Sequence, residues 1–375
     1  MQTDRGTFLG IDLGTTNIKA QIVEADGKIL SSGSSPVGIR YTAGGGAEQD
    51  IEEIWTATLA AMREVSASGA GERVCAIGVS SQGGALQVIG RGGQPSGPVI
   101  GWQDTRGRPW DRALTKRLGN AWFLYHCGHS KSDSAVGQLL RLREQGALPE
   151  GFQVGWVGDI VVGRMCGRRA HDGTSLSEAR LYNPAEGKED AGLLEILGVG
   201  SADLPALLTV DRAAGGLLPE VARPLGLPSG IPVGPAVHDQ YAAATGCGVV
   251  RPGDTMFGAG TAWTLLTVTE TLEPPVTTEA IACAHPVPDR YGQMLSLVNG
   301  GACVSWAVRT LNLGSLGVAE TDALIAGVPP GSDGLRFRPL LSEGGGANPP
   351  SGLAGRLDGL RLAHSPAHIL RALIE

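Results

Sequence analysis

The sequence lacks the features that mark several common classes of protein. Its six cysteines form no CxxC pair, which argues against a zinc ribbon or a disulfide framework. It has no stretch of about eighteen or more uncharged apolar residues, so no transmembrane helix is predicted. Its first residues, MQTDRGTFLG, place acidic and basic side chains before any apolar run, unlike a signal peptide. We therefore expect a soluble cytoplasmic protein without membrane association.

An excess of positive charge is also missing. The chain has 30 Lys and Arg residues against 37 Asp and Glu residues, a formal net charge of -7. This balance does not suggest a nucleic-acid-binding surface and favours a small-molecule partner. The length of 375 residues is typical of two domains, and the 42% of hydrophobic residues can form a large core. The 58 glycines separate apolar segments, as turns beside a ligand would.

Two strand-like apolar runs near the start, Phe8 to Ile11 and Ile18 to Val23, predict an antiparallel hairpin. Its turn, DLGTTN, contains neither a dinucleotide-binding GxGxxG nor a Walker A motif. Backbone N–H groups and hydroxyls in such a turn can approach an anion closely, and Asp12 offers an oxygen suited to hydrated Mg²⁺. An ordinary hairpin turn is the alternative. The candidate phosphate-binding residues here are Gly14, Thr15, Thr16 and Lys19.

A second candidate stretch, residues 234–248, reads GPAVHDQYAAATGCG. Asp239 precedes a run of small residues that predicts a helix, so its carboxylate could be a helix N-cap. The same carboxylate could be a general base at the mouth of a cleft. The local sequence leaves both alternatives open.

Five segments in this order resemble the FGGY carbohydrate kinases, members of the superfamily of sugar kinases, heat-shock chaperones and actin. They are GIDLGTTNIKA, EQD before an amphipathic helix, VSSQGG, WQDTR, and AVHDQYAAATG with the later GAGT. The resemblance implies an α/β fold of two actin-like ATPase (ribonuclease H-like) domains. Each would be a mixed sheet flanked by helices, facing the other across a cleft. We expect a sugar-binding and phosphate-binding domain at 1–231 and a nucleotide-binding domain at 232–375.

On the substrate side, the resemblance assigns a sugar or polyol site in which Asp239 is also the catalytic base. This sequence departs from the family in having two glycines after Gln82, where xylulokinases carry Met-His and glycerol kinases carry Arg-Glu. That departure removes side chains that normally read hydroxyls. Trp102 is alternatively a core aromatic, and Asp104 with Arg106 is alternatively a structural pair. The implied substrate-binding residues are Gln82, Gly83, Gly84, Trp102, Asp239 and Gln240.

On the nucleotide side, the resemblance implies ATP as phosphate donor and Mg²⁺ held by Asp12. A second phosphate loop is expected at GAGT, and a Gly-Gly loop before a helix is expected to lie near the nucleotide phosphates. A homodimer is one expected assembly. The implied nucleotide-binding residues in this half are Gly260, Thr261, Gly300, Gly301 and Ser305.

Other conspicuous residues have simpler interpretations. His126-Cys127-Gly128-His129 lacks a second ligand group at suitable spacing, which disfavours a metal site. In the segment that resembles the family's "tDxSxAS" loop and the helix before it, a structural role is expected for Asp159, Asp172, Ser175 and Ser177.

Near the end of the chain, GGGAN at 344–348 stands where these kinases have "GERTP", before their adenosine motif. We therefore expect the adenosine motif to be absent and the second domain to be incomplete. The last segment, SPAHILRALIE, predicts a helix capped by Ser365 with Pro366 at its first position. Its apolar face is expected to lack packing partners, with adenine left without a pocket wall. That face consists of Ile369, Leu370, Leu373 and Ile374.

Three functions fit these observations. The leading hypothesis is an ATP-dependent kinase that phosphorylates a hydroxyl of a ketose, polyol or sugar acid. The first alternative is a catalytically impaired sugar-binding or regulatory remnant of such a kinase. A chaperone-like or actin-like ATPase module is disfavoured, because HDQ and WQDTR have no obvious use in it.

Overall fold

The computed structural model describes residues 6–67, 69–260, 263–297, 300–339, 341 and 355–375. These form mixed sheets and helices, as the α/β prediction requires. The strands before residue 100 are β1 (Thr7–Leu13), β2 (Asn17–Glu24), β3 (Ile29–Pro36), β4 (Arg40–Thr42), β5 (Gly46–Gln49), β6 (Val74–Ser81), β7 (Leu86–Ile89) and β8 (Val99–Ile100). The strands from there to residue 238 are β9 (Gln153–Trp156), β10 (Ala170–His171), β11 (Tyr182–Asn183), β12 (Lys188–Glu189), β13 (Ala206–Leu207), β14 (Gly215–Gly216) and β15 (Pro232–His238). The remaining strands are β16 (Thr255–Ala259), β17 (Trp263–Thr269), β18 (Ile281–Ala284), β19 (Tyr291–Leu297), β20 (Arg336–Arg338) and β21 (Arg356–Asp358).

The helices lie between these strands. The first six are α1 (Ile51–Ser66), α2 (Arg108–Leu118), α3 (Asn120–Cys127), α4 (Ala135–Glu144), α5 (Val157–Cys166) and α6 (Gly173–Glu178). The next six are α7 (Ala191–Leu197), α8 (Pro219–Leu225), α9 (Asp239–Gly246), α10 (Gly300–Thr310), α11 (Val318–Ala326) and α12 (Pro366–Ile374). In the part of the chain that the structure describes, no helix is long and apolar enough to cross a membrane.

The chain divides into two compact units. Unit 1 contains residues 1–254 and 267–293, and unit 2 contains residues 255–266 and 294–375. The expected domain boundary at 231/232 differs from this division, because β15 pairs in parallel with β6 inside the central sheet of unit 1. That pairing buries Val233 and Ala236 within the core of unit 1.

The central sheet of unit 1 runs in the order β13-β10-β15-β6-β1-β2-β3. Its β1 and β2 form the predicted antiparallel hairpin, in which Asp12 is paired with Lys19. Alternate residues of β1 are buried, beginning with Leu9 and ending with Leu13. This alternation follows from the strand's period of two, which places every second side chain on the same face.

Helix α1 packs against β2 and β3, as the amphipathic pattern predicts. It begins after Asp50, whose side chain accepts a hydrogen bond from the backbone N–H of Glu52. Ile51, Ile54 and Met62 lie on the buried face of this helix, and burying each such side chain contributes about 1.5–3 kcal/mol. Leu59 is half-buried against the same core.

The predicted helix at the end of the chain forms within unit 2, with Ser365 at its N-cap and Pro366 first. Two residues of its apolar face, Leu370 and Leu373, are buried against Cys303 and Ala307 of α10. The expectation that this face lacks partners is therefore wrong for these two residues. The reason is that α10 supplies an apolar surface from about sixty residues earlier in the chain, a contact that local sequence does not reveal.

Candidate functional site

Three parallel strands of unit 1 end at the same edge of the central sheet. Leu13 at the end of β1 pairs with Ser81 at the end of β6, and Ser81 pairs with His238 at the end of β15. The segments that follow therefore leave the sheet side by side. They carry the predicted phosphate turn, the loop that begins with Gln82, and Asp239. The carboxyl ends of such strands are where open α/β sheets usually bind ligands.

The phosphate turn presents charged side chains at this edge. One oxygen of the half-buried Asp12 accepts a hydrogen bond from the Ser80 hydroxyl at 2.9 Å. Lys19 is exposed and lies directly opposite Asp12 in the hairpin, so both side chains stand on the same face of the sheet. Gly14 and Thr15 are half-buried, whereas Thr16 is exposed.

A hydrogen-bonded network ties this turn to two other segments. The Thr15 hydroxyl donates to Oε1 of Gln82 at 3.1 Å and accepts from Nε1 of Trp102 at 3.0 Å. Nε2 of Gln82 donates to Oε1 of Gln49 at 2.9 Å. Trp102 is half-buried and uses its indole N–H at the site edge, so it is not a plain core aromatic. Both amide atoms of Gln82 are already bonded to protein groups.

Asp239 is the first residue of α9, and the N-cap position belongs to His238. The alternative that Asp239 is itself the N-cap is therefore wrong, because the helix begins one residue earlier than a cap at Asp239 would require. The Asp239 side chain remains 31% exposed, and its Oδ1 lies 3.2 Å from Nε2 of His238. Gln240 follows it, half-buried, in the first turn of the helix.

The surroundings of Asp239 change its acidity. Burial is the largest cause and raises the pKa of the Asp239 carboxyl above its ordinary value. His238 lowers this pKa, while the negative charges of Asp12 and Glu178 raise it. Because a base works best when its pKa approaches the working pH, a raised pKa suits proton acceptance better than that of a free aspartate.

The two glycines after Gln82 do not leave an empty space where their side chains would be. At Gly83 an ideal Cβ would lie 2.6 Å from Cδ2 and Nε2 of His238 and 3.1 Å from Cγ of Glu178. Gly84 has a φ of +71°, a conformation that side chains rarely adopt. The sequence interpretation missed Glu178. Its only sequence signal is an acidic residue within SLSEAR, a segment interpreted as structural.

The residues expected to be structural have structural partners. Arg106 pairs with Asp104 at 2.6 Å and with Glu48 at 2.8 Å, which confirms the proposed Asp104–Arg106 pair. Asp172 caps α6 by accepting from the backbone N–H groups of Thr174 and Ser175. Nδ1 of His126 lies 2.8 Å from a carboxylate oxygen of Asp190.

The remaining structural candidates also have local roles. An oxygen of Asp159 accepts from the backbone N–H of Trp156 at 2.6 Å, at the start of α5. The hydroxyls of Ser175 and Ser177 donate to backbone carbonyls of Ala236 and Gly173. These bonds explain the three residues without a catalytic role. Within the described ranges, no group of three or more His, Cys, Asp or Glu side chains could hold a metal ion.

In unit 2, the two predicted glycine loops contact each other. The backbone N–H of Gly301 donates to the carbonyl of Gly260 at 3.1 Å. Gly300 begins α10 and lies against the ring of Trp263. Ser305 is exposed on the same helix. Thr261 and the GGGAN stretch lie outside the described residues.

Comparison with known proteins identifies the class. The fold is similar to the crystal structure of a xylulose kinase from Rhodospirillum rubrum, with a TM-score of 0.85 at 26% identity, covering 98% of this chain and 75% of that one. A gluconate kinase structure from Lactobacillus acidophilus gives a TM-score of 0.88 at 21% identity, with coverage of 98% and 75%. The fold is thus the actin-like ATPase fold of sugar kinases.

Sequence comparison gives the family. Residues 7–246 match the N-terminal domain of the FGGY family of carbohydrate kinases. A glycerol kinase from Gloeobacter violaceus is 28% identical over 99% of this chain and 74% of its own length. The chain belongs to the FGGY family of carbohydrate kinases, whose members use ATP to phosphorylate alcohol groups. It spans about three quarters of the length of the relatives it matches.

Proposed function

We propose that this chain is an ATP-dependent kinase that transfers the γ-phosphoryl group to a hydroxyl of a ketose, polyol or sugar acid. The observation that carries this proposal is the shared sheet edge of unit 1. There, the register of β1, β6 and β15 aligns the phosphate turn, the Gln82 loop and Asp239. Gln82, Gly83, Gly84, Trp102 and Gln240 are the proposed substrate-binding residues.

Asp239 is the proposed general base. As the acceptor hydroxyl oxygen bonds to the γ-phosphorus, the bond from that phosphorus to ADP breaks, and Asp239 takes the hydroxyl proton. Phosphoryl transfer depends mainly on positioning and charge neutralisation, so no covalent enzyme intermediate is needed. The exposed part of the carboxylate leaves access for a hydroxyl, and the raised pKa of Asp239 favours proton acceptance.

The Asp12 carboxylate fits a magnesium ion. Mg²⁺ prefers oxygen ligands and usually binds through one or two carboxylates, substrate phosphates and water. Asp12 is half-buried at the same edge, and the Ser80 hydroxyl fixes its orientation. When bound, Mg²⁺ neutralises charge on the phosphates.

Each unit contains proposed phosphate-binding groups of its own. In unit 1, the turn supplies backbone N–H groups and Lys19 supplies positive charge. In unit 2, the mutual contact of the glycine loops supports a role in phosphate binding, because glycine backbones allow close approach of an anion. The proposed residues are Gly14, Thr15, Thr16 and Lys19 in unit 1, and Gly260, Thr261, Gly300, Gly301 and Ser305 in unit 2.

The test is acceptor-dependent ADP release across a panel of ketoses, polyols and aldonates. Asp239→Asn keeps the side-chain shape but removes the base, and we expect kcat to fall about 100- to 10,000-fold. The matched control is Asp211→Asn, since the side chain of Asp211 is 61% exposed. Turnover that survives in Asp239→Asn would contradict the base assignment.

A thermal-shift experiment separates the kinase from the noncatalytic remnant. A kinase should be stabilised by ATP with Mg²⁺ and by its acceptor, each added alone. Stabilisation by sugars without any nucleotide effect, together with no ADP release, would favour the remnant. The cytoplasmic location and the homodimer stay predictions.

A further inference from the structure

Two ionisable side chains, those of His238 and Glu178, lie beside Gly83, at the edge of the central sheet that carries Asp239. They occupy the space that a side chain at position 83 would need. The ring of His238 and the Cγ of Glu178 both come within 3.1 Å of an ideal Cβ at Gly83. Any larger residue at position 83 would have to displace His238 or Glu178. The glycine therefore makes room for these two side chains, which arrive from the ends of β15 and α6.

Both side chains carry polar atoms that the protein leaves unbonded. Nδ1 of His238 and Oε1 of Glu178 are buried and have no hydrogen-bond partner among the described residues. The nearest recorded cation to Glu178 is Arg180, whose Nη1 lies 3.7 Å from that oxygen. Buried polar atoms are nearly always bonded in folded proteins, and an unmet one costs about 1–3 kcal/mol. A hydroxyl donor from a ligand would satisfy the Glu178 oxygen.

The charge of this neighbourhood restricts the ligand. Glu178 acts on Asp239 as a negative charge, so two carboxylates lie close together at this end of the sheet, besides that of Asp12, which is assigned to Mg²⁺. Arg180 offsets only part of this charge, because its one guanidinium pairs with Asp133 as well as with Glu178, and Nη1 also donates to the carbonyl of Ser177. Nη2 of the same guanidinium is directed to Asp133 at 3.8 Å. A carboxylate on the acceptor would therefore be repelled, whereas neutral hydroxyls can donate to Glu178.

We propose that Glu178, beside His238 in the space facing Gly83, selects a neutral polyol or ketose acceptor over a sugar acid. This inference rests on the proposed kinase function and narrows its substrate class. Glu178 reads a hydroxyl of the acceptor through the oxygen that lacks a hydrogen-bond partner among the described residues. A site that hydrogen-bonds a substrate hydroxyl discriminates more strongly than one that only encloses it.

The test compares glycerol and xylulose with gluconate as acceptors. Wild type and Glu178→Gln are assayed for kcat/KM, and acceptor binding is measured by calorimetry without nucleotide. We expect wild type to prefer a neutral acceptor. Glutamine keeps an acceptor oxygen but removes the negative charge that strengthens the bond, so the kcat/KM of Glu178→Gln for that acceptor should fall about 5- to 10-fold. The same substitution should reduce the difference in kcat/KM between the neutral acceptor and gluconate.

The matched control is Glu186→Gln, an exposed glutamate paired with Lys188, which should leave both preferences unchanged. A wild-type preference for gluconate, or the same neutral-to-acid ratio in Glu178→Gln, would overturn the inference while leaving the kinase proposal standing. If no acceptor supports ADP release, the kinase proposal fails, and the calorimetric preference still decides the role of Glu178. If none of the three acceptors binds in the calorimeter, the proposed role of Glu178 is overturned as well. A thermal unfolding midpoint close to that of wild type shows that Glu178→Gln is folded.

Discussion

Replacing Gln82 with leucine tests the network that joins the phosphate turn to the acceptor loop. Gln82 is 4% exposed and Gln49 is 5% exposed, so water cannot readily replace the bond between their amides. Gln49 cannot simply turn its amide around, because its Nε2 donates to the carbonyl of Thr15 at 3.0 Å. Gln82→Leu therefore leaves Oε1 of Gln49 buried without a donor.

The stability that Gln82→Leu is expected to lose comes from two hydrogen bonds of the Gln82 side chain. A buried oxygen without a partner costs about 1–3 kcal/mol, and the lost bond to the partly buried Thr15 adds about 0.5–1.5 kcal/mol. We expect the free energy of unfolding to fall by about 1.5–4.5 kcal/mol in total. Urea denaturation followed by circular dichroism measures this directly, as a lower midpoint at unchanged slope.

A double-mutant cycle with Thr15→Val isolates one bond of the network. Because the Thr15 hydroxyl donates to Gln82, the two substitutions should be coupled by about 0.5–1.5 kcal/mol rather than additive. Gln21→Leu is the matched control, since Gln21 is exposed on β2 and should change stability by less than about 0.5 kcal/mol. Strict additivity, or a Gln82→Leu protein as stable as wild type, would refute the network.

Two further predictions concern stability. Burial raises the pKa of Asp172 to about 6, so its neutral form stabilises the fold below the unfolded pKa, and this contribution is lost as pH rises through about 6. Asp172→Asn keeps the Oδ1 acceptor for α6, and its unfolding free energy relative to wild type should rise by up to about 3 kcal/mol between pH 4 and pH 7. Parallel pH profiles from urea melts would contradict this. In unit 2, Leu373→Ala should cost about 2–4 kcal/mol because Leu373 is buried against α10. Ile374→Ala on the same helix, at a residue 40% exposed, should cost clearly less, and equal losses would argue against this packing.

The local elements could be predicted from sequence because short-range chemistry determines them, and the family could be predicted because five segments resemble it in order. The β1–β2 hairpin, the Asp50 cap of α1 and the Ser365 cap of α12 each depend on residues only a few positions apart. Asp239 was singled out in a different way, by resemblance to the FGGY kinases, because HDQ lies between two glycine-rich turns in the order of that family. The pairing of Asp104 with Arg106 is also local, because only one residue lies between them in the chain.

Tertiary structure alone decided which distant residues share the site. The register of β1, β6 and β15 aligns positions 13, 81 and 238, and no local pattern encodes that alignment. Only that arrangement brings Glu178 and His238 against Gly83, commits the Gln82 amide to Thr15 and Gln49, and raises the pKa of Asp239. The packing of Leu370 and Leu373 on α10 likewise depends on a contact between residues that are far apart in the chain. The physical reason is that hydrogen bonding, desolvation and charge act over a few ångströms in space, whatever the separation along the chain.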